Sequence, residues 1–361
     1  MKFQSLQNMV LPTAFMVLYL MLIPSFSFAD SDGCKSTDAY EAICGIAPPE
    51  DMEVTPDGRF LFMGITPGMD GRQIPRLQVM ELATRQTRDV ELQIEPESGW
   101  GEADCAPPSQ PMGAHGIHLS TREDGRYQLL VVNHSKREAI EFLEIEPVGE
   151  GWKTIWRGCV ENSGTGRFND VSAHPDGGFV ATVMFEAESM HNPPPLDDLL
   201  GGRDTGYLMA WSPERPLAKI EGSDAPFPNG IQVSPNGRYA WYAAWTAGEV
   251  HRFDLAANRV SARIPVDYMP DNLSWGEDGL LLAAGIRDAD VFKQCFLAHN
   301  ADCPSGFKVS AIDPDALSNK TVFQAGQGVL PGVSVALEIE GDIYVGAFNG
   351  DRMIRLTSRQ D

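Results

Sequence analysis

Between residues 227 and 245 the chain reads FPNGIQVSPNGRYAWYAAW: a short alternating run, an Asn236-Gly237 turn, and a second run rich in aromatic and small apolar residues. Alternation on either side of Asn-Gly predicts a β-hairpin, because that dipeptide readily takes the left-handed backbone conformations of a tight turn. The same pattern recurs along the chain. PEDMEVTPDGRFLFMG turns at Asp57-Gly58, HGIHLSTREDGRYQLLVVNH at Asp124-Gly125, and FNDVSAHPDGGFVATVM at Asp176-Gly177. PDNLSWGEDGLLLAAG turns at Asp278-Gly279 and PGVSVALEIEGDIYVGA at Gly341. The turns return about every 57 residues, which is room for several short strands per unit. A second hairpin, as in GEVHRFDLAANRVSARIPV at 248–266, brings each unit to four strands. This recurrence, with no convincing amphipathic helix, predicts an all-β six-bladed propeller with four-stranded blades. Seven blades would demand shorter repeats, and nothing in a β-sandwich predicts six-fold recurrence.

Every unit opens on polar or small residues: Glu50-Asp51, His115-Gly116-Ile117, Asn169-Asp170, Asn229-Gly230, Asp271-Asn272 and Gly332-Val333-Ser334. The innermost strands of a propeller run beside its axis, so these openers meet at one mouth of a central tunnel. Glu50, Asn169, Asn229, Asp271 and Asn272 then form a ring of oxygen donors. Two carboxylates and three amides, without a thiolate, make a hard site that suits Ca²⁺ rather than zinc or copper. Taken singly, an Asn or Asp ahead of a strand is an ordinary turn or cap residue. Its return at one place in four units is what points to a ligand ring.

Outside the repeats, Lys2 precedes an apolar run from Met9 to about Ile23 and then SFSFA, which predicts a secretory signal peptide over 1–29, cut after Ala29. An uncleaved N-terminal anchor is the alternative. No other stretch is apolar and long enough to span a bilayer, so 30–361 reads as one exported propeller domain, periplasmic or secreted. Six cysteines in an exported chain read as disulfides. Local spacing favours Cys34–Cys44 and Cys295–Cys303, which leaves Cys105 with Cys159; no zinc-type spacing is present. A net charge of −22 argues against nucleic acid or anionic lipid as a partner.

The repeat openings also carry a resemblance. AICGIAPPEDMEV, HGIHLS followed by LLVVNH, FNDVSAHPDG, FPNGIQVSPNGRY, PDNLSW and GVSVALEIEGDIYVGAF run in this order from Glu41 to about Phe348. With them the chain resembles the paraoxonase/arylesterase family, within the gluconolactonase-like six-bladed propellers. The resemblance implies a lactonase or arylesterase built around two calcium ions. It puts a catalytic calcium on Glu50, Asn169, Asn229, Asp271 and Asn272, the ring already selected by the repeats. It puts a structural calcium on Asp51, Asp170 and the backbone carbonyl of Ile117, and a histidine pair on His115 and His134.

The chain departs from that family at three places. A further active-site histidine of the animal enzymes aligns near Gly285-Ile286-Arg287, where this chain has none. The cysteine bridge between the chain ends lacks its C-terminal partner, so strand pairing must close the ring. The segments 187–204 and 286–308 are insertions of this chain's own.

The implied chemistry is attack of water on a lactone or ester carbonyl polarised by calcium, with His115 as base and His134 orienting or relaying. In a regular strand His118 points away from His115, and His174, beside a turn, reads as a surface residue. The substrate is then a small lactone or ester; a phosphotriesterase activity on the same calcium is not separable by sequence. The competing readings are a non-enzymatic calcium-stabilised binding scaffold and a strictosidine-synthase-like propeller. Nothing in the chain fixes its oligomeric state.

Overall fold

The computed structural model describes residues 34–189 and 192–356; the expected signal peptide, 1–29, lies outside the described residues. Each expected hairpin forms, and its turn glycine has a positive φ, from 68° at Gly237 to 86° at Gly177. The innermost strands are Asp51–Val54, Ala114–Thr121, Gly166–Ala173, Pro228–Val233, Met269–Trp275 and Val333–Ile339. Each packs against the next, and the last against the first, so six sheets close into a six-bladed propeller.

Apolar layers between adjacent blades hold the ring together. Phe62, Leu77 and Val79 of the first blade, for example, meet Ile117, Leu129 and Val131 of the second. Burying one such side chain stabilises the fold by about 1.5–3 kcal/mol, which explains why the middle strands read as nearly continuous apolar runs. Blades are antiparallel and four-stranded, with one exception. Leu92–Ile94 pairs in parallel with the edge of the eleven-residue strand Gly151–Glu161, making a fifth strand. The linker between blades thus covers a long free edge that would otherwise invite foreign strands.

Closure uses strand pairing, as the missing cysteine partner implied. Glu41–Cys44 lies antiparallel to Arg352–Leu356, with Glu41 opposite Arg355 and Cys44 opposite Arg352. Glu41 also pairs with Arg355 at 2.8 Å and with Arg85 of the first blade. All three expected disulfides form: Cys34–Cys44, Cys105–Cys159 and Cys295–Cys303.

The sequence pattern predicted no helix, and here the structure differs. The first insertion holds α1, Leu196–Leu199, and the second holds α2, Ala289–Leu297. Nine residues are too few to be stable as an isolated helix. Context supplies the rest: Asp288 caps the Val291 N–H at 3.0 Å, Phe292 is buried, and Cys295 ties the helix to Cys303. Lys293 of α2 reaches Asp197 of α1 at 2.6 Å, so the two insertions meet. Among the described residues no helix is long and apolar enough to cross a membrane.

One irregularity recurs in five of the six blades. Pairing between the innermost strand and its neighbour slips between Ala114 and Ile117, Phe168 and Val171, Pro228 and Ile231, Pro270 and Leu273, and Val333 and Val335. A bulge releases its residues from the ladder and re-aims their side chains. The residues released are the polar openers.

Candidate active site

The bulges, together with Glu50 just ahead of the unbulged strand Asp51–Val54, bring together a set of residues distant in sequence. Glu50, Asn169, Asn229 and Asp271 line one cavity of about 480 Å³ together with His115 and His134. Asn272 is buried beside them and donates to Glu50. Close approach of neighbouring blades depends on two bulge glycines. A Cβ on Gly116 would lie 2.4 Å from Asp170 Oδ1, and one on Gly230 would lie 2.3 Å from Asn272 Cα. Any larger residue at either place would push adjacent inner strands apart.

Four oxygens of the ring, Glu50 Oε2, Asn169 Oδ1, Asn229 Oδ1 and Asn272 Oδ1, are buried without a hydrogen-bond partner. An unmet buried acceptor costs about 1–3 kcal/mol. Four such oxygens on the openers of neighbouring blades would suit a hard cation. Electrostatics agree: burial, then the charges of Asp271, Asp51 and Asp170, push the Glu50 carboxyl well above its ordinary range. Asp271 is likewise raised by burial. A cation would relieve both. Because three of the five donors are amides, no group of three or more His, Cys, Asp or Glu side chains is placed to hold a metal among the described residues.

Asp51 and Asp170 are provisioned differently. Asp51 accepts the Met52 N–H at 2.8 Å and the Ile117 N–H at 2.7 Å. Asp170 accepts the Val171 and Ile231 N–H groups, each at 2.7 Å. These carboxylates sew one blade to the next, so their oxygens are not orphaned. Burial nevertheless pushes Asp51 up to about 7, and burial with the Asp51 charge raises Asp170. The pair fits a second cation through its concentrated charge.

His115 Nδ1 lies 2.9 Å from His134 Nε2, and His115 Nε2 lies 3.7 Å from Glu50 Oε1. Burial, and then the neighbouring His134, hold the His115 pKa well below the ordinary histidine value. The imidazole is thus kept neutral and able to accept a proton. His118 is not in the cavity; it is half-buried against Glu53 at 3.4 Å and pushed down to about 4 by desolvation. The strand is bulged at this point, so regular alternation is not what separates the two histidines. His174 is half-buried rather than on the open surface, with its Nε2 3.0 Å from Gly237 O of the next blade.

Above the floor the cavity is apolar, and several of its walls were not foreseen from sequence. Phe227 and Trp245 stand with ring centroids 4.9 Å apart, and Trp245 meets Phe292 of α2 edge-on at 5.3 Å. Phe348 closes the arc against Phe292, while Phe296, 40% exposed, sits at the rim. His299 contacts Met69 O at 3.0 Å, and Met69 donates its N–H to Asn349 at 2.7 Å, joining the loops around the mouth. Aromatic residues next to the polar openers and inside the second insertion were the available signal. The missed polar residue is Glu138, whose Oε2 lies 3.0 Å from His134 Nδ1.

The family pattern described as "SMP-30/Gluconolactonase/LRE-like region" matches residues 102–291, more than half of the chain. Mouse serum paraoxonase/arylesterase 1 is 28% identical over 315 residues, covering 82% of each chain. Human serum paraoxonase/arylesterase 2 is 25% identical over 331 residues, covering 83% of each. Among solved structures, a luciferin-regenerating enzyme aligns with a TM-score of 0.52 at 12% identity, over 88% of this chain and 94% of that one. A calcium-binding protein, regucalcin from Agrobacterium tumefaciens, aligns with a TM-score of 0.51 at 12% identity, over 87% and 91%. These two share the fold.

Proposed function

The chain belongs to the SMP-30/gluconolactonase/LRE-like family, and from that premise we propose that it is an exported, calcium-dependent hydrolase of lactones or aryl esters. The observation that carries the reading is a set of orphaned oxygens, on Glu50, Asn169 and Asn229, that share an apolar cavity with a histidine pair, with a fourth, Asn272 Oδ1, buried beside them. The paraoxonase/arylesterase relatives support ester-type hydrolysis over a purely structural propeller.

Glu50, Asn169, Asn229, Asp271 and Asn272 would hold the ion, with Asp51, Asp170 and the Ile117 carbonyl holding a second. When bound, calcium supplies a Lewis acid for the substrate carbonyl oxygen. The rest of the work belongs to the chain. His115, neutral and half-buried, takes a proton from the attacking water through Nε2. His134 holds the His115 ring by its other nitrogen. Phe227, Trp245 and Phe292 receive the apolar part of the substrate and exclude bulk water, which strengthens every polar interaction below them.

The test is hydrolysis of an unsubstituted lactone, an aryl ester and an organophosphate by the full chain, before and after EGTA and after calcium is restored. Lactone or aryl ester turnover that disappears with chelation and returns with calcium supports the reading. A calcium-loaded chain that hydrolyses none of them leaves a calcium-stabilised binding scaffold instead.

A further inference from the structure

Beyond the histidine pair lies a group that the general chemistry does not require. Glu138 sits in the turn between the strands Tyr127–Asn133 and Ala139–Val148, within the charged stretch SKRE, and its side chain is almost completely buried. Oε1 accepts the Phe168 N–H at 2.6 Å. Oε2 faces His134 Nδ1 at 3.0 Å and receives Arg167 Nη1 at 3.3 Å. Arg167 is itself held by the Ala187 and Gly164 carbonyls at 2.9 and 3.1 Å. The turn is fixed to the innermost strand of its blade by the His134 N–H, which donates to Gly113 O at 3.0 Å.

We propose that Glu138 is a positioning residue that sets the tautomers of His134 and His115 in series, leaving His115 Nε2 as the bare nitrogen facing the cavity. A carboxylate has only acceptors to offer, so His134 Nδ1 carries the proton. A neutral imidazole then has a bare Nε2, which accepts from His115 Nδ1–H across 2.9 Å. His115 in turn is left with a bare Nε2 toward Glu50 and the cavity floor. When His115 Nε2 takes a proton, its Nδ1 proton can pass to His134 Nε2, and the positive charge comes to rest beside the Glu138 carboxylate. No atom is gained or lost beyond the proton supplied by water.

The amide replacement is unusually informative here. In Glu138→Gln the carbonyl oxygen is kept on the Phe168 N–H, the shorter contact at 2.6 Å, and Arg167, at 3.3 Å and already held by two backbone carbonyls, gives up the side chain. The NH₂ group therefore faces His134 Nδ1 and can only donate. His134 must then carry its proton on Nε2 and donate to His115 Nδ1, which moves the His115 proton onto Nε2. Both rings reverse, and the base is lost with the fold intact.

The experiment is ¹⁵N imidazole NMR of the full, calcium-loaded chain with labelled histidine, at about pH 8 where free imidazole is neutral, alongside steady-state kinetics. The catalytic consequence rests on the hydrolase reading; the tautomers do not. Wild type is expected to show pyrrole-type Nδ1 and pyridine-type Nε2 on both rings, and Glu138→Gln the reverse. Lactone kcat should fall on the order of 10²–10⁴-fold, with KM within about threefold. A proton on Nε2 of either ring in wild type, or tautomers unchanged in Glu138→Gln, overturns the relay. Reversed tautomers with an undiminished rate uphold the relay and remove His115 as the base. If the variant does not fold, the wild-type spectrum decides alone.

Discussion

One amide nitrogen of Asn272 donates both to the backbone carbonyl of Glu50 at 3.0 Å and to its Oε1 at 2.9 Å, across 222 positions of sequence. The contact joins the fifth blade to the first and spends the Asn272 amide donor on the Glu50 carbonyl and Oε1, leaving Glu50 Oε2 and Asn272 Oδ1 without a donor from each other. Both oxygens stay unpaired in the ring. The ring is thus built to present acceptors, and the clearest expectations concern what those acceptors hold.

Asp271→Ala removes a buried charged member of the ring. Calcium affinity, melting temperature and activity should fall together. For a micromolar dissociation constant, millimolar calcium contributes about 4 kcal/mol, or roughly 10 °C in this size of chain. Calorimetric titration and thermal unfolding measure both; a variant that binds calcium as tightly as wild type removes Asp271 from the site.

His115→Gln separates base from metal. Calcium content and melting temperature should stay near the wild-type values, while lactone turnover falls on the order of 10²–10⁴-fold. Wild-type turnover in this variant would make His115 a lining residue.

The chelated chain should lose stability as pH rises. Glu50, Asp271 and Asp170 are raised above the ordinary carboxylate range, and Asp51 reaches about 7. Between the unfolded and folded values the folded chain binds more protons, so stability declines with increasing pH through that window. Calcium replaces those protons. The gap in melting temperature between calcium and EGTA should therefore widen from about pH 5 to about pH 8. A constant gap would mean that the cation does not compete with protons at these carboxyls.

Phe292→Ala opens the aromatic wall contributed by α2. The kcat/KM for a lactone with a long acyl chain should fall about tenfold more than for the unsubstituted ring, the scale of one or two lost apolar contacts. Equal losses for both substrates would place the acyl chain elsewhere.

Mass mapping of exported protein without reductant should give a chain beginning at Asp30 and the three bridges Cys34–Cys44, Cys105–Cys159 and Cys295–Cys303. Retention of Met1 or six free thiols would reverse the compartment assignment.

The blades were legible because each announces itself locally, through an Asn-Gly or Asp-Gly turn in five and Glu340-Gly341 in the sixth, between period-two runs. Glu50, Asn169, Asn229, Asp271 and Asn272 were legible because they repeat at equivalent places. The bulges that aim the last four were not, since a register slip is a property of two strands and leaves no mark on one. Glu138 was hidden for a related reason. In SKRE it looks like one more solvated turn charge, and only the packing of Phe168 and Arg167 from the next blade buries it. α2 escaped notice because nine residues give too little periodicity, and a disulfide supplies the order that propensity does not.

The pairing of Glu41–Cys44 with Arg352–Leu356 also sets an order of events. The sixth blade takes one strand from the start of the fold and three from its end. A chain emerging N-terminus first holds that opening strand without a neighbour until nearly everything else has been delivered. The Glu50–Asn272 contact waits a shorter time, because its two halves come from the first and fifth blades. The seam is then the last part to close, after every residue of the polar floor has been delivered. A chain lacking the last strand would keep five complete blades beside an open seam, so the ring's resistance to unfolding would report that the final residues have arrived.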